Sequence, residues 1–362
     1  MKELIWLCSS PTPYNDYLFC ALHKSKDVDL EVVYRELYLD SYPWKKKVLN
    51  TYKSRQLSKI FGFDFKLIKK IFFKKGTTFV VGGWHPKFWF VILMWSLTRS
   101  KFIVWCDTPN DLLKRSFIKS IVRKFWLALS FKYSFAILGT GKRCVERLIF
   151  MGANSDKVFN FPYWVPTKEE FIRSDRKSKK VVKVISVGRL LSVKGFEFMV
   201  AAASIVKNTQ PLLRVEYVIC GDGSIRHSIE DLIQAHGLSE IFTITGWLEN
   251  DQITEELQDA DIYVHPALWE PYGVSVLEAM ALGLPILGSS NTMAVIDRVE
   301  SGVSGLIHEV GDIDMLAEHI IYLARNKTER FRMGAAAYAT SRQFPIELAV
   351  QKLVEFGKIE LE

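Results

Sequence analysis

Residues 181–200, VVKVISVGRLLSVKGFEFMV, place an apolar run, a cationic loop and the beginning of a helix in immediate succession. The run 181–187 is mostly apolar and β-branched, which is typical of a strand buried on both faces in a parallel sheet. Apolar residues then recur at spacings of three and four, which predicts a helix over 196–207. The succession repeats, with strands predicted at 215–220, 241–245, 262–265 and 285–287 and helices at 225–236, 251–258 and 274–282. This alternation predicts an α/β fold with a doubly wound parallel sheet.

The first half of the chain repeats the scheme, so we expect two Rossmann-like domains. Strands are predicted at 4–8, 30–34, 78–81, 102–105 and 135–138, and 362 residues exceed the usual size of one domain. The polar segment 166–180 is predicted to be a linker. The predicted organisation is a first domain over 1–165, a second over 181–344, and a helix over 345–362 that crosses back to the first domain.

Cysteine usage and hydropathy indicate the compartment. The five cysteines are scattered without a CxxC pair, which predicts a reducing, cytoplasmic environment. The first residues, MKELIWLC, are typical of a strand rather than a signal peptide. The longest apolar run, 88–97, is about half of the roughly 20 residues that span a bilayer, so no transmembrane segment is predicted.

Charge is divided unequally along the chain. Residues 1–170 contain 29 Lys and Arg against 14 Asp and Glu, whereas residues 171–362 contain 19 against 26. A basic first half suits an anionic surface, such as phospholipid headgroups, a polyprenyl diphosphate or nucleic acid. Within it, 112–131 mixes cations with apolar residues at helical spacing, which is typical of an interfacial membrane helix and equally of a core-facing helix with a solvated side. Lysines at 45–47, 69–70 and 74–75 would strengthen attraction to anionic lipid.

Candidate site residues follow the predicted strands, because ligands of doubly wound sheets bind at the carboxyl ends of the strands. Arg189 and Lys194 place two cations on the loop after the first strand quoted above, and paired cations suit a nucleotide diphosphate. The next strand is followed by GDGS, 221–224, in which Gly221 and Gly223 would allow the backbone to approach a ligand closely. A simple tight turn would show the same glycines.

Two carboxylates follow the strand predicted at 262–265, within HPALWEPYGVSVLEAMALGLP (265–285). Glu270 lies in the loop, and Glu278 lies eight residues further on in the predicted helix. Two helical turns advance about 7.2 residues, so both carboxylates can face the same side of a site. A carboxylate accepts two hydrogen bonds at once, which suits vicinal sugar hydroxyls.

In these motifs the chain resembles the large retaining glycosyltransferase family four, which has the GT-B fold of two Rossmann-like domains facing a central cleft. The resemblance runs from about 181 to 324 and includes GVSGL at 302–306. It implies that Arg189 and Lys194 bind the donor diphosphate, that Glu270 lies beside the donor sugar, and that Glu278 binds the ribose hydroxyls. The remaining donor-binding residues that it implies are Gly221, Gly223, Gly246, Trp247, Tyr272, Gly273 and Val274, with Gly246 and Trp247 near the nucleobase.

The first half resembles the family only loosely, as expected for a domain that binds variable acceptors. Many members have a glycine pair after the first strand, where this chain has SSPTPYN (9–15), so Asn15 or the hydroxyls of Ser9 and Ser10 are candidate replacements. Members commonly place a histidine after the strand at 102–105, where this chain has Asp107; an aspartate there is a candidate catalytic residue and equally a turn former. His85, in GGWHP (82–86), is a candidate cleft residue or a structural histidine.

The resemblance implies transfer of a sugar, with retention, from a nucleoside diphosphate sugar to an acceptor hydroxyl. UDP is favoured over GDP, and the expected acceptor is a lipid-linked saccharide in surface-polysaccharide assembly, reached from the cytoplasm or from the inner face of the membrane. The expected catalytic residues are Glu270, Asp107, Arg189 and Lys194. No cofactor or catalytic metal is expected, because the Asp-x-Asp triplets at 27–29, 259–261 and 312–314 occur at near-chance frequency and lack further ligands.

Two alternatives stay open. A sugar-nucleotide epimerase of GT-B fold would use the same donor without an acceptor, although the Arg189 and Lys194 loop together with the glutamate pair favours a transferase. A nucleic-acid-binding protein would use the basic first half. Nucleic acid is not an expected partner, because no recognisable reading motif is present and the glutamate pair would be unexplained.

Overall fold

The computed structural model describes residues 2–37, 51–57, 64–73, 76–83, 102–109, 116–167 and 181–358. The chain divides into two compact units. Unit 1 contains Met1–Trp164 and Ile346–Glu362, and unit 2 contains Val165–Pro345. Several stretches singled out in the sequence lie outside the described residues, namely His85, the lysines at 45–47 and 74–75, the apolar run 88–97, residues 112–115, and 168–180 of the predicted linker.

Unit 1 is built on a parallel sheet of seven strands within the described residues. The strands are β1 (Lys2–Cys8), β2 (Val28–Tyr34), β3 (Lys53–Gln56), β4 (Thr77–Gly82), β5 (Phe102–Cys106), β6 (Ala136–Gly139) and β7 (Val158–Asn160), in the order β3-β2-β1-β4-β5-β6-β7. The five strands expected from the sequence are present. The edge strands β3 and β7 were not predicted, because KSRQ and VFN are too short and too polar for an apolar pattern.

Four of the described helices of unit 1 cover both faces of this sheet. They are α1 (Pro13–Lys24), α2 (Phe65–Phe73), α3 (Phe117–Tyr133) and α4 (Lys142–Phe150). Since parallel crossovers are right-handed, α2, α3 and α4, which lead toward β7, lie on the face opposite to α1. The burial agrees, because Leu67 of α2, Leu127 of α3 and Leu148 of α4 belong to one core cluster.

Unit 2 is built on a second parallel sheet, of six strands. They are β8 (Val182–Val187), β9 (Val215–Cys220), β10 (Phe242–Gly246), β11 (Ile262–His265), β12 (Ile286–Ser289) and β13 (Gly305–His308), in the order β10-β9-β8-β11-β12-β13. The five predicted strands are confirmed. The sixth, β13, was missed because its four residues, GLIH, begin with glycine and end with histidine.

Five helices lie between these strands, two more follow β13, and an eighth ends the described chain. They are α5 (Phe196–Thr209), α6 (Arg226–Ala235), α7 (Asn250–Asp259), α8 (Val274–Ala281), α9 (Met293–Arg298), α10 (Ile313–Arg325), α11 (Lys327–Arg342) and α12 (Ile346–Lys358). The last of them, α12, belongs to unit 1 and packs against α1, with Phe356 4.7 Å from Phe159 between ring centroids. Within the described residues, no helix combines the length and apolar character needed to cross a bilayer.

The order of the unit 2 sheet fixes where a ligand site can form. The chain moves outward from β8 through β9 to β10, then returns to the other side of β8 with β11. The loops after β8 and β11 therefore leave the same edge of the sheet in opposite directions, which opens a crevice between them. Both sheets are doubly wound and parallel, as the sequence predicted.

Candidate active site

The loop that follows β8 is fastened to the loop that follows β11. The backbone N–H of Leu268 donates to the Val193 carbonyl at 3.0 Å. Gly195 has a φ of +65°, and a Cβ there would overlap the Pro266 carbonyl oxygen. A glycine is needed at this position, because any side chain would push the two loops apart. The contact fixes the direction in which the neighbouring Lys194 leaves the backbone.

The partly buried Lys194 and the buried Glu270 form an ion pair at this edge of the sheet. The Lys194 Nζ donates to Glu270 Oε2, although the two residues are 76 positions apart in the chain. Glu270 is 6% exposed. Its backbone is held on both sides, since its N–H donates to the Asn291 carbonyl and its carbonyl accepts from Met293 N–H. The carboxylate is therefore fixed by its loop before any ligand arrives.

The electrostatic state of Glu270 follows from its neighbours. Burial alone would raise the pKa of this carboxyl, but the Lys194 ammonium lowers the pKa to about 2. Glu270 is consequently ionised at neutral pH in an environment that excludes water. A buried, ionised carboxylate with a fixed orientation is a strong acceptor for hydroxyl groups.

His265 is a further member of this cluster that the sequence did not single out. It is the last residue of β11, is 3% exposed, and places Nε2 3.4 Å from Glu270 Oε2. Burial lowers the pKa of His265, and the adjacent Glu270 opposes that shift. Its position at the carboxyl end of a predicted strand was an available signal, because such positions line the ligand edge of doubly wound sheets.

Glu278 lies on α8. Burial raises the pKa of Tyr263, and the negative charges of Glu278 and Glu270 raise it further. Both glutamates are thus close enough to Tyr263 to interact with it. The structure therefore brings the two carboxylates of the spaced pair into the surroundings of Tyr263.

Other residues of the predicted donor set occupy three different settings. Arg189 is half-buried on the loop after β8. The ring of Tyr272 is 1% exposed, and burial raises its pKa to about 12, so this side chain packs beneath the loop. Gly273 caps α8 with a φ of +99°, and Val274 is the first residue of that helix. Unsatisfied N–H groups at such a helix start are suited to anion binding.

The loops after β9 and β10 close the same edge of the sheet. Gly221 forms an isolated bridge with Gly246, and the Leu190 N–H donates to the Asp222 carbonyl at 2.9 Å. Gly223 is packed against Leu190, and Trp247, which is half-buried, directly follows β10. The glycine-rich loop is therefore packed against the loop that carries Arg189.

We expect Gly221→Ala to disrupt this edge of the sheet. A Cβ at this position would overlap the Gly188 carbonyl oxygen, which is backbone and cannot turn aside. Strain of this kind costs about 1–3 kcal/mol or more. Thermal unfolding would measure the loss, with Gly237→Ala, at a solvent-exposed turn, as the control for a glycine with positive φ whose Cβ meets no backbone. A Gly221→Ala protein as stable as Gly237→Ala would contradict the packing.

In unit 1 the candidate acceptor residues lie at the carboxyl edge of the other sheet. Asp107 is exposed directly after β5 and accepts a hydrogen bond from Thr140 Oγ1 at 3.1 Å. Burial raises the pKa of Tyr163, and Asp107 raises it further, so these two side chains are also neighbours. The Tyr163 ring packs edge-on against Tyr14 at 5.2 Å. An exposed carboxylate beside two aromatic rings can recognise a sugar.

Asn15 is placed differently from Asp107. It belongs to the first turn of α1 and is 8% exposed, so the structure buries it at the start of this helix. Thr140, Tyr163 and Tyr14 were not singled out in the sequence, because hydroxyl and aromatic residues are common in every part of the chain. His85 lies outside the described residues. Within the described ranges, no group of three or more His, Cys, Asp or Glu residues is arranged to hold a metal ion.

Known proteins resemble this chain in sequence and in fold. Residues 167–340 match the family model of the glycosyl transferases group 1. The amylovoran biosynthesis glycosyltransferase AmsK of Erwinia amylovora is 26% identical over 217 residues, which is 58% of this chain and 53% of that protein. The 2-deoxystreptamine N-acetyl-D-glucosaminyltransferase of Niallia circulans is 26% identical over 164 residues, 45% of this chain and 41% of that protein. The chain thus spans about half the length of the curated relatives it matches.

A solved structure extends the likeness to both units. The crystal structure of Anabaena HepE in complex with UDP superposes with a TM-score of 0.80 at 16% identity, over 98% of this chain and 99% of that one. At this identity the likeness shows the fold, which is GT-B. Residues 167–340, just under half of the chain, are therefore similar to the glycosyl transferases group 1, and the fold of the chain is that of the GT-B glycosyltransferases.

Proposed function

We propose that this chain is a retaining glycosyltransferase that moves a sugar from a nucleoside diphosphate sugar to a hydroxyl of a lipid-linked saccharide, without a metal ion. The observation that carries the proposal is the buried ion pair of Lys194 and Glu270 at the crevice between β8 and β11. It places a cation that can bind a diphosphate beside a carboxylate that can accept hydrogen bonds from a sugar. The AmsK relative, which is named for amylovoran biosynthesis, supports a role in polysaccharide assembly.

In this proposal each part of unit 2 recognises one part of the donor. Lys194 and Arg189 contact the diphosphate, and the start of α8 at Gly273 and Val274 adds backbone N–H groups. Glu270 accepts hydrogen bonds from the transferred sugar, while Glu278 accepts them from the ribose. The turn at Gly246 and Trp247 contacts the base, next to the glycine-rich loop at Gly221 and Gly223.

Retention is proposed to occur by a front-face route. Double displacement needs a carboxylate free to attack the anomeric carbon. In this proposal Glu270 is occupied by hydroxyl groups of the transferred sugar, which makes it a hydrogen-bond acceptor rather than a nucleophile. The departing diphosphate would take the acceptor proton, while Arg189 and Lys194 stabilise its developing charge. Asp107 and the rings of Tyr163 and Tyr14 would position the acceptor sugar in unit 1.

We expect UDP to stabilise the protein more than GDP or ADP does. The HepE structure with UDP supports this preference. A ligand at about 100 times its Kd stabilises a protein by about 2.7 kcal/mol, which a thermal-shift measurement resolves easily. The same screen on Lys194→Ala should show a much smaller shift. A thermal shift with GDP alone would indicate a GDP-sugar as the donor. No thermal shift with any nucleotide would contradict the proposal.

Transfer is expected to keep full activity in EDTA. The two cations supply the charge that a divalent ion supplies in metal-dependent enzymes. Product formation with and without chelator, read by NMR of the anomeric proton, would also report the stereochemistry. Activity that disappears in EDTA and returns with Mn²⁺ would contradict metal independence, and an inverted anomeric centre would contradict retention. Conversion of the nucleotide sugar without any acceptor would favour an epimerase.

A further inference from the structure

One side of α3 carries large apolar side chains that are exposed to solvent. Phe117, Ile121 and Phe125 recur at every fourth residue, and Ile118 and Val122 each lie one residue further on. Phe117 and Ile118 are 80% and 73% exposed, and Phe125 is 58% exposed. At about 100° per residue, these five positions form one stripe on the side opposite to the residues that the helix buries. Exposed stripes of this kind mark interaction surfaces.

A cationic groove borders this apolar stripe. It has a volume of about 790 Å³ and runs between α3 and the turn that follows α4. Its cationic lining residues are Arg123, Lys124, Lys132, Arg147 and Lys157. The end of α4 adds two more exposed apolar side chains, Ile149 and Phe150. Apolar and cationic groups therefore lie side by side on one face of unit 1.

The charge of this face selects its partner. The structure describes every residue from 116 to 157. This stretch contains eight basic residues, counting Lys and Arg together, and two acidic residues. Helix α3 itself contains no acidic residue. A protein partner would favour a patch depleted of lysine. Exposed aromatic and aliphatic side chains flanked by cations instead suit the boundary between anionic headgroups and acyl chains.

We propose that α3 and the end of α4 form a docking face for a bilayer that contains anionic phospholipid. The apolar stripe enters the acyl boundary, and the cations of the groove contact the phosphates. This surface deepens the proposed function by giving the place where a lipid-linked acceptor is reached, and it rests on that function only for the identity of the acceptor.

Flotation of the full chain with vesicles tests the docking face. Wild type should float with vesicles containing phosphatidylglycerol and stay in solution with phosphatidylcholine alone. Phe117→Ser combined with Phe125→Ser should weaken binding by about tenfold or more for each phenylalanine removed. Lys124→Gln combined with Lys132→Gln should weaken it and reduce its salt dependence. Leu212→Ser is the matched control, because Leu212 is 95% exposed but lies in unit 2.

Each other outcome overturns the docking face. No flotation with anionic vesicles, flotation with both vesicle types alike, or equal flotation of the phenylalanine and Leu212 variants would each refute it. If the protein were a dimer in solution and Phe117→Ser with Phe125→Ser dissociated it, the stripe would instead bind a second copy of the chain. Nucleotide thermal shifts on the same samples keep the test separate from the proposed activity, because donor binding does not depend on this face.

A second inference comes from the hydrogen bonds behind Glu270. Ser275 Oγ donates to the Val187 carbonyl at 3.2 Å, and Tyr263 OH donates to Ser275 Oγ at 2.7 Å. The Tyr263 oxygen lies 3.1 Å from His265 Nδ1. Because the Tyr263 proton is already used on Ser275, the proton between Tyr263 and His265 must be on Nδ1. The chain of hydroxyls thereby fixes the tautomer of the imidazole.

With the proton on Nδ1, the Nε2 atom of His265 carries no proton and faces Glu270. Nε2 is buried, lies 3.4 Å from Oε2, and makes no hydrogen bond within the described residues. Lys194 supplies the positive charge that this carboxylate needs. When Lys194 turns to a diphosphate, Glu270 loses that charge inside the protein, where an unpaired carboxylate is costly.

We infer that His265 is a positioning residue that takes a proton at Nε2 and holds Glu270 when the donor diphosphate draws Lys194 away. The proton comes from solvent, so donor binding is accompanied by proton uptake. The inference rests on the proposed function for the identity of the ligand, whereas the tautomer of His265 follows from the hydrogen bonds alone. His265→Gln would retain a side-chain N–H for Glu270 without the ability to take up a proton, and His265→Leu would lose both.

Calorimetric titration of UDP in buffers of different ionisation enthalpy measures the proton uptake. Wild type should take up protons near neutral pH, His265→Gln should bind UDP without uptake, and His265→Leu should bind it at least about tenfold more weakly. Equal uptake in wild type and His265→Gln would refute the inference. In the protein without nucleotide, nitrogen-15 NMR should show His265 protonated at Nδ1. The opposite tautomer would refute the inference even if UDP is not the ligand.

Discussion

Lys194→Ala is expected to lower glycosyl transfer by about 10²-fold or more, the size of the effect when one preorganised charge donor is removed. The lysine has two roles in the proposed site. It neutralises Glu270 in the free protein, and it stabilises the leaving diphosphate in the transition state. Steady-state kinetics with a UDP-sugar would show the loss in turnover.

The same substitution should destabilise the fold, because it leaves a buried carboxylate without its cation. Breaking a buried ion pair from one side costs about 3–5 kcal/mol. Glu270→Gln combined with Lys194→Ala removes both charges and should recover much of the stability while activity stays low. If the double variant were as unstable as Lys194→Ala alone, the pair would not be the source of the loss.

The pH dependence of stability gives an independent readout of this pair. In wild type the pKa of Glu270, about 2, is below its ordinary value, so the pair contributes its stability above about pH 5 and loses it as pH falls through 2. In Lys194→Ala, burial is no longer opposed by the lysine, and the pKa of Glu270 should rise. The difference in Tm between the two proteins should be largest near neutral pH and shrink as Glu270 becomes protonated in acid. A difference that is constant with pH would contradict the pairing.

Arg189→Ala is expected to cause a loss of turnover of similar size, about 10²-fold. Arg189 follows β8 on the loop that carries Lys194, so the two side chains are proposed to hold the same diphosphate. Arg189→Lys is the matched control, because it keeps the charge but loses the planar fork that binds two phosphate oxygens. We expect intermediate activity for that variant. Unchanged turnover in both Arg189→Ala and Lys194→Ala would remove the assignment of this loop to the diphosphate.

Much of the fold could be predicted because its signals are local. Strands such as β8 and β9 are buried on both faces, so their apolar runs are nearly continuous and end at glycine. Edge and short strands carry no such pattern. In β3, Arg55 pairs with Glu31 of β2, so an ion pair occupies a position where a periodic apolar residue would have marked the strand.

The candidate site was only partly predictable, for a related reason. Arg189, Lys194 and Glu270 could be selected because each lies on a loop after a strand, and Glu278 because it lies eight residues after Glu270 in a helix. That Lys194 is paired with Glu270, and that Tyr272 turns its ring into the core, depends on contacts across loops. Tyr163 gave no sequence signal and His265 gave only its place at the end of a strand, because burial and neighbours rather than residue type give them their chemistry.

The sequence by itself determined the alternation of strands and helices, the doubly wound class of both sheets, and the loops on which charged residues lie, because these depend on spacing along the chain. Only the tertiary structure decided which of those charges meet. Placing β11 beside β8 brings residues 76 positions apart into one buried cluster, and burial then sets the charge state of Glu270. The strength of that interaction comes from the exclusion of water, which no local pattern in the chain encodes.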